Sequence, residues 1–179
     1  KPADLKKKIT SIHKNLKRYG VSHDHSVNMQ TTLCALAVDE KRNAYIINVG
    51  DSRLYRFRGD TITQLSTDQS LVQMLYEQGK ITREEKRFHA QRNIIFPVIG
   101  NLSDEPNIDI TEIEGGIKEG DLIIICSDGV SDYLSSNEFE TILSRPVKLP
   151  KRLSGLIDTA MKNGSPDNLT VLGLSVCEI

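Results

Sequence analysis

The sequence predicts an α+β domain built on a mainly antiparallel sheet. Short runs rich in Val, Ile, Leu and Tyr, separated by turn residues, mark strands through residues 31–65. Amphipathic faces and capping boxes mark helices on either side of them. No internal repeat, low-complexity segment or second composition regime interrupts the 179 residues, so a single domain over 1–179 is expected. That length buries a core without disulfide or metal staples. At 38% hydrophobic and 26% charged, the composition sets wholesale disorder aside. With 23 basic against 24 acidic residues there is no bulk positive charge to neutralise phosphates, so no nucleic acid is expected as a partner. The apolar run Leu122–Cys126 is far too short to span a bilayer, so no membrane is expected either.

Residues 4–19 place Leu5, Ile9, Ile12, Leu16 and Tyr19 on one helical face, and Gly20 stands where such a helix stops. Lys6, Lys7, Lys14, Lys17 and Arg18 on the other face read as a solvated surface, with partner docking as the alternative. Residues 21–28 read as a loop; His23 and His25 within it have no third ligand nearby to complete a metal site. Strands follow at 31–38, 44–49 and 54–58, the last turning through Gly59-Asp60 into a hairpin partner at 61–65. Residues 70–78 read as a helix capped near Thr67 or Asp68 and stopped at Gly79. Thr82-Arg83-Glu84-Glu85 is a capping box that opens a second, short helix. Residues 93–116 read as a long loop with one strand. Leu122–Cys126 reads as a buried central strand, and Ser135-Ser136-Asn137-Glu138 as a capping box opening a helix through Leu143. Pro146 and Pro150 mark a connection, Leu153 to Met161 a last helix, and 169–176 a final strand. Cys34, Cys126 and Cys177 cannot all pair, and the first two sit in apolar runs, which points to a reducing, cytoplasmic setting.

Several chemistries are excluded. Gly115 and Gly120 have the outer spacing of a phosphate loop, but Asp121 stands where its Lys is required. Neither Cys34 nor Cys126 is followed six residues later by the Arg that a thiol phosphatase needs. What remains is aspartates at strand ends. Asp51 follows the strand 44–49, Asp128 follows 122–126 with Asp132 four residues on, and Asp167-Asn168 precede the last strand. If that strand runs antiparallel to the other two, the carboxylates meet at one sheet edge. Each Asp alone would suit a turn. Gathered without matching cations they repel one another, and the set then favours a hard divalent ion such as Mg²⁺ or Mn²⁺. A metal-dependent hydrolase is the reading that spacing supports.

Three motifs carry a resemblance: Ile47-Asn48-Val49-Gly50-Asp51-Ser52-Arg53, Cys126-Ser127-Asp128-Gly129-Val130-Ser131-Asp132 and Pro166-Asp167-Asn168-Leu169-Thr170-Val171. Their order and separation resemble the metal-dependent (type 2C) protein phosphatases, in particular the bacterial branch, and the segment 65–93 resembles that branch's approach to its flap. The resemblance implies a sandwich of two mainly antiparallel sheets flanked by helices. It implies hydrolysis of phosphoserine and phosphothreonine in proteins by a hydroxide bridging two Mn²⁺ or Mg²⁺ ions. Asp128 and Asp167 then resemble ligands of the core pair, and Asp51 and Asp132 ligands of a third, weaker ion shared with Asp128. Arg53 and Asn168 resemble supporting residues, and His89 and Arg92 lie in the flap region, 66–100, where a substrate role is one reading and a structural role the other.

The sequence also departs from the pattern. Nothing in residues 1–25 matches the family's opening acidic motif or its Asp-Gly-x-Gly-Gly turn, Gln30 stands where Gly is usual, and Gln69 stands where His is usual. The chain begins with Lys1, and the expectation is a piece lacking the N-terminal strands, whose uncovered sheet edges would favour self-association. Two functions compete: an active phosphatase domain, with phosphoproteins and a serine/threonine kinase as partners, and a phosphatase-like binding or regulatory module without catalysis. A metal-binding structural domain unrelated to phosphate would need three coincident motifs.

Overall fold

The computed structural model describes residues 2–22, 29–41 and 43–177. The chain divides into two compact units, Lys1–Asp51 with Thr67–Glu112, and Ser52–Ser66 with Ile113–Ile179. Among the described residues each unit holds one antiparallel sheet with helices, so the α+β class is the one expected.

In the first unit the order is helix α1 (Pro2–Ser22), strands β1 (Leu33–Val38) and β2 (Ala44–Val49), helices α2 (Leu71–Glu77) and α3 (Arg83–Phe88), and strand β5 (Asp109–Glu112). The sheet order is β1-β2-β5, with Cys34 opposite Asn48 and Asn48 opposite Asp109. Ile9 of α1 packs with Ile47 and Val49 of β2 and with Val98, Ile99 and Ile108, joined by Leu5 and Leu16. The expected helical face is rotated. Ile12 and Tyr19 are 52% and 48% exposed, whereas His13 and Gly20 are buried in their place. His13 earns that position by accepting the Gly100 N–H at Nδ1, 3.1 Å away, which satisfies a loop amide that Ile could not. Gly20 does not stop the helix, which continues to Ser22; the expected loop residues His23 and His25 lie outside the described residues.

Two further boundaries differ from expectation for visible reasons. Thr31 is drawn aside to pair with Ile99, so β1 starts at Leu33. Gln69 and Ser70 are held extended by Gly50 and Ile95, so α2 is capped by Ser70 and not by Thr67 or Asp68. The Thr82 capping box of α3 forms as expected. Gln30 is exposed and accepts a bond from Asn101.

Gly100 fixes the loop that meets α1. Its φ is +87°, and a Cβ there would lie 1.9 Å from the Met29 carbonyl oxygen. Gly100→Ala is therefore expected to cost about 3 kcal/mol in urea denaturation. Gly79, at φ +68° with open space around it, is the control and should lose about 1 kcal/mol. Equal losses at both positions would assign the cost to backbone conformation alone.

In the second unit strands β3 (Arg53–Arg58) and β4 (Thr61–Gln64) form the expected hairpin. Gly59 and Asp60 both have positive φ, 54° and 61°, the tight two-residue turn that matches strand twist. Strand β6 (Leu122–Cys126) lies between β3 and β7 (Val171–Ser175), both antiparallel to it. Tyr55, Phe57, Leu122, Ile124 and Cys126 pack against Phe139, Ile142 and Leu143 of helix α5 (Ser136–Leu143) and against Leu156 and Ala160 of helix α6 (Leu149–Lys162). α6 starts earlier than expected and absorbs Pro150 into its first turn, where a missing N–H costs nothing. The last strand is shorter than expected: Leu169 packs beside the core and Val176 bonds back to Asp121, both outside β7. A short helix α4 (Asp128–Ser131) stands directly after β6.

Candidate active site

The second unit brings three of the expected acidic residues together. Cys126 at the end of β6 pairs with Val171 at the start of β7, so the residues after one strand lie beside those before the other. Asp128 opens α4, and Asp132 closes it with its N–H on the Asp128 carbonyl at 2.9 Å. Gly129 is required by the close approach of the opposite loop: a Cβ would lie 2.6 Å from Asn168 O and 3.2 Å from the Asp167 Cβ. The Asp167 carboxylate accepts the N–H of the adjacent Asn168 at 2.6 Å.

Burial first, then the negative charges of Asp132 and Asp167, push the Asp128 carboxyl above the usual carboxylate range. The Gly129 N–H and the Arg53 guanidinium oppose that rise without cancelling it. Arg53 pairs with Asp132, with Nη1 at 2.8 Å from the carboxylate. Asp132 therefore has a cation beside it, whose charge also reaches Asp128.

Asp51 is placed differently from expectation. β2 belongs to the three-stranded sheet and β6 and β7 to the four-stranded one, so the three strands do not share one sheet edge. The reason is the turn at Gly50, where φ is +101° and the chain leaves the first sheet after Val49. Buried Gln69 holds that turn. Its Oε1 accepts the Gly50 N–H at 2.9 Å, its Nε2 donates to Asn48 O at 3.4 Å, and its own N–H donates to Gly50 O at 3.0 Å. Asn48 adds donors to Gly50 O and Thr67 O. Sequence reading passed over this positioning role, because a lone Gln carries no motif signal of its own.

His89 and Arg92 lie in the first unit, in the turn after α3. His89 Nδ1 accepts the Gln91 N–H at 3.1 Å, and its carbonyl accepts that of Arg92. α3 is tied down by Lys86, which reaches the buried Asp68 carboxylate at 3.7 Å and bonds Gln73 of α2. Burial, reinforced by Asp68, pushes the Cys34 thiol up to about 12. Cys34 is therefore inert as a nucleophile at neutral pH.

Among the described residues no group of three or more His, Cys, Asp or Glu side chains is gathered tightly enough to hold a metal ion by itself. The donor set nevertheless suits a hard cation. Asp128 and Asp167 are carboxylates close enough to act on each other's charge, and an ion of the Mg²⁺ or Mn²⁺ class is commonly held by one or two carboxylates with water completing its shell. Among the described residues no helix is long and apolar enough to cross a membrane.

Comparison with known proteins agrees with this geometry. The serine/threonine phosphatase stp of Listeria welshimeri is 33% identical over 168 residues, 94% of this chain and 65% of that protein. The chain thus spans a little under two thirds of that relative. Serine/threonine phosphatase Stp1 from Staphylococcus aureus superposes with a TM-score of 0.83 at 31% identity, covering 96% of this chain and 66% of the other. The catalytic domain of the phosphatase PstP, solved in complex with two manganese ions, gives 0.76 at 28% identity over 93% of this chain and 67% of that one. The protein phosphatase 2C family matches residues 3–169, and the chain, with its two antiparallel sheets and their helices, belongs to that family.

Proposed function

We propose that the chain forms most of a protein serine/threonine phosphatase domain, 1–179, with a flap at 66–100, acting on phosphorylated proteins in the cytoplasm. The observation that carries the reading is the placement of Asp128 at the head of α4, with Asp132 closing that helix and the Asp167–Asn168 loop packed on Gly129. A divalent cation of the Mn²⁺ or Mg²⁺ class, when bound, supplies Lewis acidity toward a phosphoryl oxygen and a more acidic water. Asp128 and Asp167 would hold the core pair, and Asp51 with Asp132 a weaker third ion. Arg53 steadies Asp132 through their ion pair, and Asn168 fixes the Asp167 loop. His89 and Arg92 lie in the flap region, with a structural role as the first reading and a role toward substrate as the second. A kinase that phosphorylates the same proteins and self-association through free strand edges complete the expected partners.

The test is phosphate release from phosphoserine and phosphothreonine peptides by the protein that carries this chain, with Mn²⁺, with Mg²⁺ and with EDTA. EDTA-sensitive release is the expected result. Absence of release with either ion would overturn the enzyme reading in favour of a phosphatase-like regulatory module.

A further inference from the structure

Ser70, Thr82 and Ser135 each stand just before a helix and each accepts a backbone N–H from their own first turn. Ser127 occupies the equivalent position before α4, with the same extended backbone (φ −71°, ψ 162°), and makes no such bond. A serine at this position ordinarily satisfies one of the unpaired donors of its helix. Here the hydroxyl turns across to the neighbouring loop, donating to Asn168 O at 3.1 Å and accepting the Thr170 N–H at 3.1 Å. The Ser127 N–H reaches Thr170 O at 3.1 Å, and a second strut runs from Ser165 Oγ to Gly129 O at 2.7 Å. Ser127 is thus joined to the loop on both sides of Leu169, immediately beyond Asp167.

The need for such a joint is electrostatic. Asp128 and Asp167 repel each other whenever no cation lies between them, and Asp167 sits exposed on a loop between the Ser165 strut and the bonds to Ser127. We infer that Ser127 is a positioning residue, its hydroxyl bridge to Asn168 and Thr170 holding Asp167 at the spacing from Asp128 that a divalent cation requires. The inference rests on the metal-site reading of those two aspartates. It assigns to the hydroxyl the outer-shell role that orients metal ligands before the ion arrives.

The experiment measures Mn²⁺ binding to the protein that carries this chain from the loss of the free-ion EPR signal, alongside amide exchange at Thr170 and thermal melting. Ser127→Ala is expected to weaken Mn²⁺ binding about tenfold and to speed Thr170 exchange, with Ser127→Thr restoring both. Ser135→Ala, which removes an ordinary cap, should lower the melting temperature and leave Mn²⁺ affinity unchanged. Ser127→Ala that binds Mn²⁺ as tightly as the unsubstituted chain would overturn the inference alone, as would failure of Ser127→Thr to restore it. An unsubstituted protein that leaves all the Mn²⁺ free would overturn the metal reading and the inference with it.

Discussion

Asp128→Ala is expected to lower Mn²⁺-dependent phosphate release by at least about a thousandfold, or roughly 4 kcal/mol of barrier. Asp128 is the carboxylate on which burial and two like charges converge, so it gains most when a cation arrives. Asp132 already holds Arg53 at 2.8 Å, and Asp132→Ala should leave core metal binding largely intact. Calorimetric titration with Mn²⁺ separates the two variants, and equal loss of metal from both would sink the two-tier assignment. The same physics gives an opposite sign for stability. Asp128→Asn removes a carboxylate that the metal-free fold disfavours, so its melting temperature without metal should rise as its activity falls.

The next largest effect lies away from the site. Asp121 is fully buried at the head of β6, and its carboxylate takes Nε and Nη2 of Arg58 at 2.6 and 2.7 Å and the Lys118 N–H at 2.8 Å. Burial alone would raise its carboxyl, but the Arg58 bonds and the Lys118 N–H outweigh that and hold it below the usual range. Arg58→Met would leave that buried carboxylate without its ion-pair partner, with only the Lys118 N–H bonded to it and Arg56 as the remaining nearby cation. The loss should be about 3 kcal/mol, the low end for a broken buried pair, because Arg58 itself is 35% exposed. A group with a depressed folded pKa contributes stability above its unfolded pKa and loses it as pH falls through the folded one. Melting temperature should therefore drop below about pH 4, the usual carboxylate range, and Arg58→Met should flatten that drop. A variant that keeps the full acid sensitivity would assign it to other carboxylates.

Residues whose roles are local were legible in the sequence. The capping boxes at Thr82 and Ser135 and the Gly59-Asp60 turn depend on neighbours within four positions, and each appears where expected. Leu122–Cys126 was legible as a central strand because burial on both faces leaves an unbroken apolar run. Roles set by partners far along the chain were not. His13 is buried because a loop 87 residues away presents an unpaired N–H, and nothing near His13 announces that. The spacing of three strand-end aspartates read as one shared sheet edge because such residues look alike; the two sheets were legible only through the resemblance of the three motifs, and the division of their strands between those sheets is a long-range pairing that no aspartate signals. Ser127 read only as part of a motif, since a serine before an Asp-Gly turn gives no sign that its hydroxyl has left its own helix.

The strand order β4-β3-β6-β7 also governs how the chain can assemble. β6 seats between a hairpin that ends at Gln64 and a strand that begins at Val171, and the segment Thr67–Glu112 belongs to the other unit. Its pairings close loops of many tens of residues on both sides, and such non-local closures slow folding relative to helix and hairpin formation. The Gly59-Asp60 hairpin and the capped helices are the early, self-sufficient pieces. The junction of β6 and β7, where Asp128 meets Asp167, exists only once the last strand has docked. Metal affinity in a refolding experiment would then report the completion of this unit, with no partly folded chain able to mimic it.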